Sequence, residues 1–298
     1  MAEQTTINAA LAGTIEIGGD LTVNRFGFGA MRLTGQGIWG EPSDREECKR
    51  VLRRALELGI NFIDTADSYG PEVSERLIAE ALHPYPDELV IATKGGLTRP
   101  GPGVWVPDGR PEHLRQALEG SLRRLRVDEI DLYQLHRPDP KVPFEESVGA
   151  LVKMKDEGKI RHIGLSNVTV EQVQKAQKLT PIASVQNRYN LLDRESEPVL
   201  EYASGEEMAF LPWRPVGGGE MSETGEGGEA SRKLASLAKK YDATPEQLAL
   251  AWLLAHSPAM LVIAGTSKVA HLEENLGAVA LDVAPADLKE LDELAPEP

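Results

Sequence analysis

Short apolar runs alternate with longer stretches in which apolar residues recur every third or fourth position, and the alternation persists along most of the chain. The runs at residues 26–30, 60–63, 89–93, 130–135, 160–165, 182–186, 208–211 and 261–264 predict eight strands. Helices are expected between them, one of them over Glu72 to Leu82. Val51, Leu52, Ala55 and Leu56 share one helical face, with Ser43 and Glu46 as a capping box in front and Gly59 as the stop. Leu114, Leu118, Leu122 and Leu125 form a second stripe behind Pro111. Thr169 with Gln172, and Thr244 with Gln247, supply two further capping boxes. Ahead of the first strand, β-prone runs flank Gly18-Gly19-Asp20 and predict a hairpin, whereas the Gly/Pro-rich stretch 95–110 reads as a loop.

Strands that alternate with helices imply right-handed crossovers and a parallel sheet, either closed into a barrel or open and doubly wound. The open dinucleotide-binding sheet needs G-x-G-x-x-G after an early strand, and Gly27-Phe28-Gly29-Ala30-Met31-Arg32 lacks the third glycine. No G-K-[ST] phosphate loop is present either. The expectation is an α/β fold, a (β/α)8 TIM barrel with an N-terminal β-hairpin, and without a linker signal residues 1–298 read as a single domain.

Charge and composition narrow the partners. The formal net charge is −15, which disfavours nucleic acid and acidic membranes and leaves any phosphate-bearing ligand to local groups. The one cysteine, Cys48, excludes an intrachain disulfide and a Cys-rich metal site. The first residues carry no basic segment followed by an apolar stretch, and the most apolar region, 248–264, is broken by His256, Ser257 and Pro258. The expectation is a cytoplasmic protein without a membrane span; the oligomeric state is not legible.

Candidate chemistry lies at the ends of the predicted strands, where a barrel of this kind carries its active site. Asp64, Lys94 and His136 follow strands two, three and four, and Tyr69 lies in the loop after Asp64. Singly, these residues are a helix cap, a snorkelling lysine and a rim histidine; together they are the equipment for handing a proton to a carbonyl oxygen. A lysine cation lowers a neighbouring phenol's pKa, and a carboxylate keeps that lysine charged. Tyr69 would donate the proton, Lys94 tune it, Asp64 anchor the lysine and His136 position the carbonyl. Reduction also needs a hydride that no side chain supplies, so a nicotinamide or flavin is required. Ser166, Asn167 and Gln186 could hydrogen-bond a carboxamide, and Trp213 offers a face to a nicotinamide ring. Val216 to Gly219, which follow Arg214 and Pro215 in the same cofactor-side run with Gly217 among them, expose backbone N–H groups suited to a pyrophosphate. Gly265-Thr266-Ser267-Lys268 opens a helix whose N-terminus favours an anion, with Lys268 placed for a 2′-phosphate.

The segments GINFIDTADSYG, VIATKGG, DLYQLHR, GKIRHIGLSN, SVQNRYNLLDR and GTSKVAHLEENLGA together resemble the aldo-keto reductase superfamily. The resemblance covers essentially the whole chain and implies NADPH-dependent reduction of aldehydes and ketones, with Asp64, Tyr69, Lys94 and His136 as its catalytic tetrad. It also implies an adenosine-end site at Gly265, Ser267, Lys268, His271, Glu274 and Asn275. His271 stands where many NADPH-specific members carry arginine, so NADH is a second possible cofactor. The segments GAMRLTGQGIWG, IATKGGLTRPGPGVW and FLPWRPVGGGE are similar to the bacterial branch that includes pyridoxal reductases (pyridoxine 4-dehydrogenases), which implies Met31, Trp39 and Trp105 around the substrate. Two other readings follow from the barrel. One is a redox-sensing regulatory subunit like the potassium-channel β-subunits. The other is a metal-dependent hydrolase, disfavoured because none of the six histidines forms an H-x-H or H-x-x-x-H pair.

Overall fold

A computed structural model describes residues 7–217 and 228–295. It opens with an antiparallel hairpin, β1 (Thr14–Ile17) and β2 (Leu21–Asn24), turning through Gly18 and Gly19, both at positive φ. The alternation then follows as β3 (Phe26–Gly29), α1 (Arg45–Glu57), β4 (Phe62–Asp64), α2 (Val73–Leu82) and β5 (Val90–Gly95). A second hairpin comes next, β6 (Leu97–Gly101) and β7 (Val104–Pro107), and after it α3 (Pro111–Leu125), β8 (Ile130–Leu135), α4 (Phe144–Asp156) and β9 (Ile160–Ser166). The chain continues through α5 (Val170–Gln177), β10 (Ser184–Arg188), α6 (Glu197–Gly205) and β11 (Ala209–Trp213). It ends with α7 (Gly228–Lys240), α8 (Pro245–His256), β12 (Val262–Ala264), α9 (Val269–Leu276) and α10 (Pro285–Asp292).

Eight parallel strands run in the order β11-β10-β9-β8-β5-β4-β3-β12. The ring closes where Phe210 bridges Met260 and its backbone N–H donates to Ala259 O at 2.8 Å. Side chains alternate across each strand. One set points inward: Phe62, Val90, Leu132, Leu211 and Ile263 pack with Ile17, Leu21 and Val23, so the first hairpin stoppers the N-terminal end of the barrel. The other set faces the helices and forms the larger apolar layer, which includes Phe28, Ile63, Ile91 and Tyr133. The predicted (β/α)8 barrel and its hairpin are therefore both present.

Three local expectations need correction. Asp44, not Ser43, caps α1, because its carboxylate accepts from Glu47 N at 2.8 Å. The helix expected from Glu72 starts at Val73, with Glu72 itself in the left-handed region. The Gly/Pro-rich stretch is a hairpin rather than a loop, since Val104, Val106 and Pro107 pair back onto Gly101, Thr98 and Leu97 beyond a turn at Pro102-Gly103.

Beside β12, Gly265 and Gly29 make a backbone-to-backbone contact that admits no side chain. A Cβ on Gly265 would lie 2.2 Å from Gly29 O, and one on Gly29 would lie 2.7 Å from Ile263 O. Gly265→Ala should therefore cost about 1–3 kcal/mol by overpacking, read as a lowered urea midpoint. An unchanged midpoint would mean that the two strands separate freely.

Candidate active site

The C-terminal ends of β4, β5 and β8 adjoin, with Asp64 opposite Ala92 and Lys94 opposite Gln134 in register. That register brings the four predicted residues to one place. Lys94 is fully buried, and its ammonium donates to Asp64 Oδ2 at 2.7 Å, Thr65 O at 2.8 Å and Tyr69 Oη at 3.2 Å. Three donors meet three acceptors, so the ammonium is saturated. Tyr69 Oη accepts from the lysine and keeps its own O–H to donate elsewhere. The His136 ring stands edge-on to Tyr69 with centroids 5.8 Å apart.

Two amides absent from the sequence reading of the tetrad complete Asp64's shell. Gln134 Nε2 donates to Asp64 Oδ1 at 3.0 Å and Gln186 Nε2 donates to it at 2.8 Å. Gln134 carried a signal, since it lies two residues before His136 and shares the inward side of β8. Gln186, expected to hold a ligand carboxamide, lines the cavity over Tyr69, and its amide nitrogen donates to Asp64 and, at 3.2 Å, to Gln134 Oε1. The Ser68 hydroxyl lies 3.3 Å from His136 Nδ1. A hydroxyl donating there leaves the ring proton on Nε2.

Electrostatics corrects one expectation. Burial pushes the Tyr69 phenol up, and the Lys94 charge beside it only partly offsets that, so the phenol is raised rather than lowered. Burial pulls Lys94 down, but the Asp64 carboxylate and Tyr69 outweigh it, and the ammonium is held charged above its ordinary range. Burial, then the charges of Lys94, Arg137 and Arg99, drive His136 well below 6.5, so the imidazole is neutral at neutral pH.

Behind the Tyr69 loop, Asp67 is half-buried, with its Oδ1 fully buried and unpartnered among the described residues, and burial followed by the Glu75 charge raises it from 3.8 to about 8. The folded chain thus binds a proton that the unfolded chain releases between these values, and the associated stability is present at low pH and lost as pH rises toward 8. Asp67→Asn should remove that loss. Its stability relative to the parent, from urea midpoints at pH 5 and pH 9, should improve by about 2–5 kcal/mol on going to the higher pH. A pH-independent difference would mean that Asp67 is ionised in the fold.

A cavity of about 260 Å³ opens over Tyr69 and His136. Met31, Ile38, Leu97 and Trp105 supply its apolar lining. Met31 and Trp105, both named from the sequence, are among these lining residues, and Trp105 meets Tyr69 edge-on at 6.3 Å. Trp39 does not line the cavity; Ile38, held at φ 56, takes that position. Trp39 lies outside it, with the Arg99 guanidinium 5.7 Å from its ring. Arg99 escaped the sequence reading. It is buried with its guanidinium 3.5 Å from the Trp105 ring centre, and it donates to the carbonyls of Val104, Ser68 and Gly37 at 2.9, 2.9 and 3.2 Å.

Ser166, Asn167, Trp213 and Arg214 line the opposite side. Asn167, at φ 59, is a hub rather than a free donor: its Nδ2 donates to His136 O and Ser166 Oγ, both at 3.0 Å, and its Oδ1 accepts from Trp213 Nε1 at 3.2 Å. The network locks the indole while leaving the Ser166 hydroxyl hydrogen available. Arg214 and Gly217 close a tight turn around Pro215 and Val216, with Gly217 N donating to Arg214 O at 3.0 Å. The next two glycines and the acidic stretch 218–227 lie outside the described residues.

Gly265, Lys268, His271 and Glu274 are exposed and Ser267 and Asn275 half-buried around the start of α9. The Val269 N–H there donates to Glu47 Oε1 at 3.1 Å, so an internal carboxylate from α1 occupies one donor of the expected anion site. A flat indole with a fixed face, a serine hydroxyl and a helix N-terminus beside an exposed lysine fit a nicotinamide dinucleotide.

Comparison with known proteins agrees with this geometry. The sequence profile of the Aldo/keto reductase family matches residues 25–296. An uncharacterized oxidoreductase of Schizosaccharomyces pombe is 51% identical over 98% of this chain and 93% of its own length. Pyridoxine 4-dehydrogenase of Escherichia coli is 42% identical over 94% of this chain and 97% of its own. The crystal structure of an aldo-keto reductase from Klebsiella pneumoniae in complex with NADPH superposes with a TM-score of 0.79 at 26% identity, over 96% of this chain and 95% of that one. None of the three is named as a regulatory subunit, so the redox-sensing alternative finds no support among them.

Proposed function

The chain belongs to the aldo/keto reductase family and is an NAD(P)H-dependent oxidoreductase of carbonyl compounds; on that premise we propose that it uses NADPH to reduce aldehydes, flat aromatic ones such as pyridoxal in particular. The observation that carries the chemistry is the Lys94 ammonium bridging Asp64 and Tyr69 Oη, at 2.7 and 3.2 Å.

Reduction adds a hydride to the carbonyl carbon and a proton to its oxygen. When bound, the dihydronicotinamide supplies the hydride, and becomes oxidised by two electrons. Trp213 offers the face against which that ring would lie, and the Asn167 hydrogen bond keeps the indole from turning. Tyr69 provides the proton. Its raised pKa keeps the phenol protonated at neutral pH, and the adjacent ammonium stabilises the phenolate as the proton leaves. The neutral His136 donates a hydrogen bond through Nε2 to the carbonyl oxygen and so sets the angle at which the carbonyl meets Tyr69. Asp64 keeps the lysine charged, and Gln134 and Gln186 keep Asp64 in place.

The apolar cavity with Trp105 on its wall, and the 42% identity to the E. coli pyridoxine 4-dehydrogenase, support a planar aromatic aldehyde as substrate. Lys268 supports NADPH over NADH, with Ser267 and the start of α9 around the same phosphate. A cytoplasmic location belongs to the same reading, since a single buried cysteine suits a reducing compartment, and among the described residues no helix is long and apolar enough to cross a membrane. Mixing the protein with NADPH and either 4-nitrobenzaldehyde or pyridoxal should consume the cofactor, and NADH should give a lower kcat/KM. Turnover of nitrobenzaldehyde without pyridoxal would retain the reductase and remove the pyridoxal assignment. Turnover of neither would remove both.

A further inference from the structure

The chain carries a formal net charge of −15, yet among the described residues none that lines the cavity over Tyr69 is acidic. Arg137 follows His136 directly, is exposed, and lines that cavity. Among the described residues its guanidinium has no hydrogen bond and no ion pair. The carboxylate nearest in sequence, Asp139, is already used: its two oxygens accept from Gly109 N at 3.0 Å and Lys141 N at 2.9 Å. A second cation backs the same wall. Arg99 is buried against Trp105, and its three acceptors are backbone carbonyls, so no carboxylate among the described residues neutralises it. After burial and Lys94, both arginine charges disfavour protonation of the His136 imidazole. Lys94, by contrast, is matched by Asp64.

Building on the carbonyl-reductase reading above, we propose that Arg137 is a substrate anchor, and that the enzyme prefers aldehydes carrying a negatively charged oxygen group on the ring. The apolar lining from Met31, Ile38 and Trp105 takes the flat body, and Tyr69 and His136 take the carbonyl. Arg137 is left to pair with a carboxylate or phosphate elsewhere on the ring. A planar guanidinium suits both groups because each offers two oxygens to its fork of donors. A cationic site at a cavity mouth also draws such substrates from solution past an acidic surface, an effect that salt weakens.

The test compares benzaldehyde, 4-carboxybenzaldehyde and 4-formylphenyl phosphate with NADPH, in the parent protein and in Arg137→Met and Arg137→Lys. The parent should show kcat/KM at least about tenfold higher for a charged aldehyde than for benzaldehyde, mainly through KM and declining with added salt. The two charged arms show whether carboxylate or phosphate is the group taken. Arg137→Met should collapse the charged-to-neutral ratio by about tenfold or more, and Arg137→Lys should restore part of it. A parent ratio near one, or a ratio indifferent to Arg137→Met, would overturn the anchor while leaving the reductase reading standing. So would a loss in Arg137→Met confined to NADPH affinity, measured by fluorescence quenching, because the arginine would then serve the cofactor. Failure to reduce benzaldehyde or either charged aldehyde would overturn the reductase reading and this one together.

Discussion

Tyr69→Phe should lower kcat for aldehyde reduction by about 10²–10⁴-fold, with NADPH affinity close to that of the parent. The substitution removes the O–H of the tetrad, which has no acceptor among the described residues, while Lys94 spends its own hydrogens on Asp64, Thr65 and Tyr69. The fold should tolerate the change. Lys94 keeps two of its three acceptors, so the stability cost is that of one lost hydrogen bond, about 1 kcal/mol. Stopped-flow traces of NADPH oxidation, with fluorescence titration of the cofactor, separate the two quantities. Turnover of the Tyr69→Phe variant at the parental rate would remove the phenol from the chemistry and point to His136 or solvent as the proton source.

The second large effect is on stability. Lys94→Met leaves the Asp64 carboxylate buried, with only the Gln134 and Gln186 amides around it. Breaking a buried ion pair from one side costs about 3–5 kcal/mol, since the remaining charge is uncompensated. Urea unfolding should show a cost of that size, together with a loss of reductase activity. Adding Asp64→Asn to Lys94→Met should recover part of the stability and none of the activity, since the orphaned charge is gone but the ammonium beside Tyr69 is still missing. If the double variant were no more stable than the single one, the cost would lie in packing around Lys94 rather than in charge.

Much of this site was legible because a barrel converts sequence order into spatial order. Asp64, Lys94 and His136 end consecutive strands, and neighbouring strands of a parallel ring put their C-terminal ends together. Periodicity gave the strands, and capping chemistry marked α5 and α8 correctly at Thr169 and Thr244. Where two adjacent residues could both cap, as Ser43 and Asp44 could, the choice depended on which side chain reached the third N–H, and local sequence does not encode that. Arg99 and Trp39 were harder for a different reason. Arg99 interacts with carbonyls at Ser68 and Gly37, far away along the chain, and carbonyls are the same at every residue, so no side-chain pattern announces them. The sign of the Tyr69 shift was missed because burial depth, which outweighs the lysine here, is a property of the packed site and not of spacing.

The β6–β7 hairpin brings its own fastening. It is pinned at its base by Asp108 N donating to Gly96 O at 3.0 Å, and every hydrogen bond by which Arg99 clips it to two neighbouring loops goes to a main-chain oxygen. Hydrogen bonds of that kind tolerate replacement of the neighbouring side chains, Trp39 beside the guanidinium being the one that adds a ring contact. The segment between Gly96 and Asp108 is therefore a natural cassette for exchange among related barrels: a transplanted hairpin that keeps its arginine can dock on a foreign host and carry its own wall of the pocket with it.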